Sequence, residues 1–198
     1  ANAAEALRLA DLREVPLTAN RGQLTLARAN EATAGLKAGI SCGGYLTPAL
    51  PVVDGKDSAF HVAGASFARW PGGAAAPGWD MLHAKEDADN LAQLAGLNPA
   101  IAALEPAGGR AALRATTPDH MPVVGALQDG DAFAEAYGDL HHGKRAGLYP
   151  AAAYQEGLYC LTGLASRGFQ TAPLLAEMLA DLMTGTALPV AQSIADAL

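Results

Sequence analysis

Residues 158–184 read LYCLTGLASRGFQTAPLLAEMLADLMT, and this stretch decides how the chain is to be read. Leu158 to Thr162 is a short, wholly apolar run of strand length. Gly163 to Gly168 is a loop bounded by glycines. Beyond it Leu174, Leu175, Met178, Leu179, Leu182 and Met183 recur at helical spacing, and Gly185 stands where a helix C-cap belongs. The pattern predicts a strand, a glycine loop and a helix in direct succession.

Such a junction aims backbone N–H groups and the positive end of the helix dipole at whatever lies above the loop. Gly163 and Gly168 let the backbone come close to a flat ligand. A phosphate, a carboxylate or the reduced ring of a flavin is stabilised in such a place; an ordinary strand-to-helix turn shares the same pattern. The loop is not GxGxxG, and it stands near the end of the chain rather than behind a first strand. Ser166 invites comparison with a hydrolase nucleophile elbow. That elbow needs G-x-S-x-G, and Leu164 stands where the first glycine belongs. Asp119 and His120 complete a triad only on paper, because adjacent residues of one strand point to opposite faces.

Upstream, Ala111 to Ala115 (AALRA) reads as a strand, followed by the turn-rich Thr116-Thr117-Pro118-Asp119-His120-Met121-Pro122 and the apolar Val123 to Leu127. Arg114 interrupts the apolar strand. A guanidinium there is paired with a carboxylate of the fold or serves an anionic ligand, since an unpaired buried charge is too costly to keep. Its planar fork suits a carboxylate. Residues 129–157 look mixed and loop-like, with His141-His142-Gly143-Lys144-Arg145 exposed.

The first hundred residues predict a helix over Ala3 to Leu12, an extended turn at Pro16, and strands over Arg21–Ala27, Ile40–Thr47 and Phe60–Phe67. Tyr45, in the second of these strands, is either a core tyrosine or a hydroxyl lining a pocket. Residues 71–79 (PGGAAAPGW) predict a mobile surface loop. Glu86 to Leu97 predicts an amphipathic helix with Ala88, Leu91, Leu94 and Ala95 inward, and Glu86, Asp87 and Asp89 on a solvated face.

Composition narrows the function. The chain has 198 residues, 51% of them hydrophobic and 17% charged, a net charge of -7 and two cysteines. This is a globular composition, neither collagenous, disordered nor disulfide-dense. No apolar run approaches the roughly 18 residues of a membrane span, and no secretory leader is visible. The acidity argues against a dedicated nucleic-acid-binding domain. Cys42 and Cys160 form no CxxC and are expected to be buried free thiols in a reducing cytoplasm. The five histidines form neither HxxxH nor HExxH, so no metal is expected. The chain does not open on Met and is expected to be a fragment of something larger.

Several of these pieces recur in one order in a known family. Arg21-Gly22-Gln23, Gly44-Tyr45-Leu46-Thr47-Pro48, Gly64-Ala65-Ser66, Arg114 to Gly125 (RATTPDHMPVVG), Gly163 to Pro173 (GLASRGFQTAP) and Gly185 to Pro189 (GTALP) carry it. The sequence resembles the C-terminal part of the FAD-dependent oxidoreductase module of the bifunctional tRNA 5-methylaminomethyl-2-thiouridine biosynthesis proteins. These fall in the D-amino-acid oxidase and glycine oxidase superfamily. The resemblance implies an α+β fold: a mixed-sheet substrate domain plus the C-terminal portion of an FAD-binding domain. Residues 1–17 would be the end of the FAD-binding domain, 18–112 the substrate domain, and 113–198 the return into the FAD-binding domain. The GxGxxG Rossmann half and the N-terminal methyltransferase domain would lie outside this piece, which should not hold FAD tightly alone.

The resemblance also implies roles. Arg114 stands where relatives grip the substrate carboxylate, and Tyr45 where glycine-oxidase-like relatives use a tyrosine for the same group. Gly163, Ser166, Arg167, Gly168 and Phe169 match the segment beside the flavin pyrimidine, and Asp119, Pro122 and Gly125 the stretch running along the flavin. Ser166-Arg167 departs from free amino-acid oxidases and leaves the partner of Arg167 open among flavin, substrate and tRNA backbone. The implied activity is oxidative removal of the carboxymethyl group of 5-carboxymethylaminomethyl-2-thiouridine at the tRNA wobble position, with release of glyoxylate. An oxidase of free glycine- or sarcosine-like amines, which needs no basic surface, competes with it; a non-catalytic module of the same fold is the third reading. The expected location is the cytoplasm, with tRNA as partner.

Overall fold

A computed structural model describes residues 6, 12, 15–51, 59–143 and 145–195. The helix expected over Ala3 to Leu12 lies outside the described residues except for Ala6 and Leu12. The chain divides into two compact units, Asn20–Leu113 and Ala1–Ala19 with Arg114–Leu198.

The first unit is built on β1 (Thr18–Arg28), an eleven-residue strand. Around it come β2 (Ile40–Cys42), β3 (Gly44–Leu46), β4 (Leu50–Pro51), β5 (Ala59–Gly64) and β6 (Ala68–Arg69). Helices α1 (Ala84–Ala95) and α2 (Pro99–Ala102) follow, and then β7 (Glu105–Thr116). The sheet runs β2-β3-β5-β1-β6, with β4 also on β5 and β7 also on β1. Alternation sets which face is buried. Thr25 and Ala27 of β1, Ala63 of β5 and Leu46 of β3 turn to one side and are buried, while Leu24, Leu26 and Val62 on the other side are half-buried. Leu91 and Leu94 of α1, Ile101 of α2 and Leu104 close that core with Ala27, Leu46 and Ala63.

A polar network fastens the other end of α1 to β1. Gln23 is fully buried. Its Oε1 accepts from His83 N at 2.8 Å, and its Nε2 donates to His83 O at 3.0 Å and to Asp87 Oδ1 at 2.8 Å. Asp87 also accepts from Thr25 Oγ1 at 2.6 Å, and the Asn90 amide donates to Gln23 O at 2.9 Å. Arg21, 3% exposed, forms an ion pair with Glu86 and donates to the carbonyls of Trp79 and Met81. Glu86 and Asp87 are therefore bonded to the sheet, not placed on a solvated face as the spacing predicts. The helix turns them inward because β1 supplies a cation and two donors that no helical wheel contains. The same guanidinium ties residues 79 and 81, so the loop expected to be mobile is anchored at its far end; Trp70 lies 5.9 Å from Arg21 Cζ.

The strand expected over Ile40–Thr47 is instead a hairpin, because Gly43 at φ +71° reverses the chain and pairs Cys42 with Gly44. Between the pairs Leu24↔Gly64 and Arg21↔Ala68 the register slips by one residue. Ser66 fills the slip: its Oγ accepts from Gln23 N at 2.8 Å and its N donates to Gln23 O at 3.2 Å.

The second unit holds a hairpin of β8 (Val123–Gln128) and β9 (Tyr154–Thr162). Helix α3 (Gly130–Tyr137) lies between them in sequence, and α4 (Gly168–Thr184) and α5 (Gln192–Ala195) follow. Helix α4 packs on β8 and β9 through Leu175 and Met178, which are buried; Leu174, Leu182 and Met183 of the expected apolar stripe are exposed. Gly185 ends α4 at φ +70°, as its position predicts. Ala6, Leu12, Val15 and Leu127 form this unit's core. Both cysteines are free; Cys42 is exposed and Cys160 half-buried. No helix among the described residues is long and apolar enough to cross a membrane.

Two outcomes follow. Arg21→Ala strands Glu86 without its cation and should cost about 3–5 kcal/mol of folding free energy in a denaturant titration; a loss below about 1 kcal/mol would place the pair among the weak ones. Burial pushes the Cys160 thiol up, so a thiolate-selective alkylating reagent should modify Cys42 first, and faster labelling of Cys160 would contradict this packing.

Candidate functional site

The two motifs that flank the β8–β9 hairpin meet at its open end. The ladder pairs Val123 with Thr162, Val124 with Leu161 and Gly125 with Cys160. It thereby carries residues 116–122 and 163–168 to the same place. There Thr116 bridges Leu164, and Ala165 N donates to Ala115 O at 3.2 Å. A Cβ built on Gly163 would sit 3.1 Å from Thr117 Cγ2 and 3.7 Å from Met121 O. With φ at +72°, Gly163 also adopts a backbone that L side chains avoid. The two halves of the site thus touch through a position that holds no side chain.

Each half is fixed internally. Thr117 Oγ1 donates to Met121 O at 2.5 Å, and Met121 N donates to Asp119 Oδ1 at 3.0 Å. The Met121 N–H holds the Asp119 carboxyl below its ordinary range, with Thr117 adding to the effect. Asp119 and His120 lie in this turn, with His120 at φ +62°, and not on a strand. Across from it, Ala165 at φ +50° and Gly163 bend the chain, and Arg167 N donates to Leu164 O at 3.1 Å. Arg167 then opens α4 without any side-chain cap. In the first turn of this 17-residue helix Gln170 N donates to Arg167 O at 2.9 Å, and the positive end of the helix dipole faces the loop.

The residues singled out in the sequence divide plainly. Asp119, Pro122, Gly125, Gly163, Ser166, Arg167, Gly168 and Phe169 are all in the second unit, on the two converging segments; Ser166 and Arg167 are exposed and Phe169 fully so. Arg114 is in this unit as well. It is half-buried, engaged within the fold, and two residues ahead of the Thr116–Leu164 bridge. Tyr45 belongs to the first unit, where its ring lies against Gly64: a Cβ there would come 2.9 Å from Tyr45 Oη. Its side chain is exposed rather than a core residue. Gly168 is less constrained than the sequence suggests, since a Cβ there meets only Leu164 Cβ at 3.6 Å. Sequence reasoning missed Thr117, whose signal was its place at the head of the Pro-Asp turn. Among the described residues no cluster of His, Cys, Asp or Glu could hold a metal ion.

A flat, electron-rich cofactor fits this arrangement on two observations. Gly163 lets the loop pack directly on Thr117 and Met121, which sets the two backbone segments side by side. Thr162 Oγ1, one residue ahead of it, is buried with no hydrogen-bond partner. The backbone of Gly163–Gly168 and the start of α4 would hold such a group.

The fold is shared with two solved oxidases. Glycine oxidase from Geobacillus kaustophilus superposes with a TM-score of 0.62 at 18% identity, over 97% of this chain and 42% of that one. Iminodiacetate oxidase from Chelativorans sp. BNC1 does so with a TM-score of 0.60 at 17% identity, over 95% of this chain and 42% of that one. The chain belongs to the FAD dependent oxidoreductase family, which it matches over residues 1–182. Among curated relatives, the tRNA 5-methylaminomethyl-2-thiouridine biosynthesis bifunctional protein MnmC of Pseudomonas savastanoi pv. phaseolicola is 34% identical over 206 aligned residues. The protein of the same name from Chromobacterium violaceum is 36% identical over 203, covering 96% of the chain. The chain spans 29% of the length of the Pseudomonas protein.

Gly163→Ala should lower stability by about 1–2 kcal/mol through its left-handed backbone alone and, made in the complete polypeptide, reduce the flavin retained on purification. Unchanged melting and full flavin occupancy would dissociate Gly163 from the site.

Proposed function

We propose that this chain is the C-terminal part of an FAD-dependent amine oxidoreductase that removes the carboxymethyl group from 5-carboxymethylaminomethyl-2-thiouridine at the tRNA wobble position. In this reading residues 18–112 form the substrate domain, and 1–17 with 113–198 belong to the FAD-binding domain. The missing Rossmann half supplies most of the FAD affinity, and the protein works in the cytoplasm beside a methyltransferase domain of the same polypeptide. The observation that carries the reading is the meeting of Thr116–Gly125 with Gly163–Gly168 around the side-chain-free Gly163, with Arg114 on the strand leading into it. The names of the curated relatives point to tRNA and to the biosynthesis of 5-methylaminomethyl-2-thiouridine; the carboxymethyl substrate rests on the family resemblance.

FAD, when bound, supplies the two-electron acceptor that converts the carbon–nitrogen bond beside the carboxylate to an imine, which water hydrolyses to the aminomethyl nucleoside and glyoxylate. The chain's own contribution is orientation and electrostatics. The Arg114 guanidinium binds the carboxylate through two parallel hydrogen bonds and so fixes which carbon is presented. The N–H groups at the start of α4 favour negative charge developing above the loop. Asp119, Pro122 and Gly125 line the run along the cofactor; Ser166, Arg167, Gly168 and Phe169 border it. Tyr45 is assigned a hydrogen bond to a substrate carboxylate on the resemblance. No protein base is required if the amine arrives neutral.

A second reading, oxidation of a free glycine- or sarcosine-like amine, draws support from the net charge of -7, which does not favour a polyanion. Assay of the complete polypeptide on undermodified tRNA and on free sarcosine and glycine separates the two. Glyoxylate from tRNA with little turnover of the free amines is expected; the reverse would overturn the tRNA reading. In either case Arg114→Ala should lower kcat/KM by about 30- to 1000-fold, equivalent to roughly 2–4 kcal/mol. Unchanged kinetics would remove Arg114 from the site.

A further inference from the structure

We infer that the segment between β8 and β9 is an RNA contact, at which His141, His142, Arg145 and Leu148 bind a phosphate and an unstacked base; this rests on the tRNA reading above. A hairpin of this kind is commonly closed by about 2–5 residues. Here residues 129–153 intervene, and side chains of 129–143 and 149–150 bond and stack on one another. Asp129 caps α3 by accepting from Ala132 N at 3.0 Å. Phe133 stacks on Tyr137 at 4.7 Å and Tyr137 on Tyr149 at 5.5 Å. The Tyr137 hydroxyl donates to Pro150 O at 2.5 Å and that of Tyr149 to Asp139 O at 3.2 Å. Three rings are thus spent on tying Asp139, Tyr149 and Pro150 to α3 and to one another.

This support presents chemistry that neither the core nor the proposed active site uses. His141 and His142 are exposed with ring centroids 3.9 Å apart, Gly143 behind them adopts φ +70°, and Arg145 is exposed. Leu148 is 70% exposed, and Tyr154, at the start of β9, is 59% exposed. A guanidinium pairs with phosphate, and imidazole and phenol faces stack on bases that a loop leaves unpaired. The other exposed cation described in this unit's loops, Arg167, follows the opposite end of β9. A nine-residue strand separates the ends by about 27 Å. A free amino acid cannot reach both; a folded RNA loop can.

Asp131, Glu135 and Asp139 lie in the same segment, so charge contributes modestly. Two phosphate contacts at a slope of about -0.7 each weaken binding only about sevenfold between 50 and 200 mM salt. Stacking must supply the remainder.

The test uses the complete FAD-loaded polypeptide and a synthetic anticodon stem–loop, with affinity read by fluorescence anisotropy over a salt series. Arg145→Ala should weaken binding about tenfold and reduce the salt slope by about 0.7. The pair His141→Ala with His142→Ala should weaken it by a similar factor with little change in slope. Flavin content and turnover of a free secondary amine should stay at parental levels in both, which also reports folding. Parental affinity and slope in both variants would overturn the contact while leaving the tRNA reading intact. Failure of the parent to bind the stem–loop would overturn both. Displacement of the RNA by polyglutamate at equal charge concentration would assign the surface to an acidic peptide and overturn the RNA contact.

Discussion

Arg21 and Gln23 stand on β1 with almost no exposure, and every polar atom they carry must find a partner inside the protein. They find it on one helix and the loop before it: Glu86, Asp87, His83 and the carbonyls of residues 79 and 81. Apolar contacts between Leu91, Leu94 and the sheet supply attraction without fixing a register. The network fixes it, because sliding α1 by one turn would strand a buried cation and a buried amide together. The hairpin of β2 and β3, which presents Tyr45, is hydrogen-bonded to β5 and through it to this strand.

In the second unit the equivalent constraint is an absence. Gly163 is the point at which a turn built by Thr117 and Asp119 can rest against a bend that leads into α4. Hydrogen bonds hold each partner in shape, so neither can retreat from a methyl group without losing some of them. An amide-lined surface of this kind is set before any ligand arrives, and pre-organised dipoles act without reorganisation cost during a reaction.

Charge and reach bear differently on substrate. Net acidity favours a small amine, whereas an aromatic-braced segment set off from the Gly163 loop by the length of β9 favours a polymer. The two are compatible when base stacking contributes more than phosphate contacts. Weak salt dependence would then accompany specific recognition of a loop.

The succession of strand, glycine loop and helix over residues 158–184 was legible because periodicity, a glycine requirement and a C-cap are local properties: β9, α4 and Gly185 follow from them. The Arg114–Gly125 motif stood out only through the family resemblance, since no local property of the sequence separates a guanidinium engaged within the fold from one that meets a ligand. Tertiary structure alone decided that Glu86 and Asp87 face a guanidinium and an amide more than 60 residues away, and that Thr117 lies against Gly163. It also decided that Phe133, Tyr137 and Tyr149 stack on one another between β8 and β9. Such pairings depend on which segments the sheet register brings together. No window along the chain contains that information, because a carboxylate on a helix looks solvated until a strand places a cation beneath it.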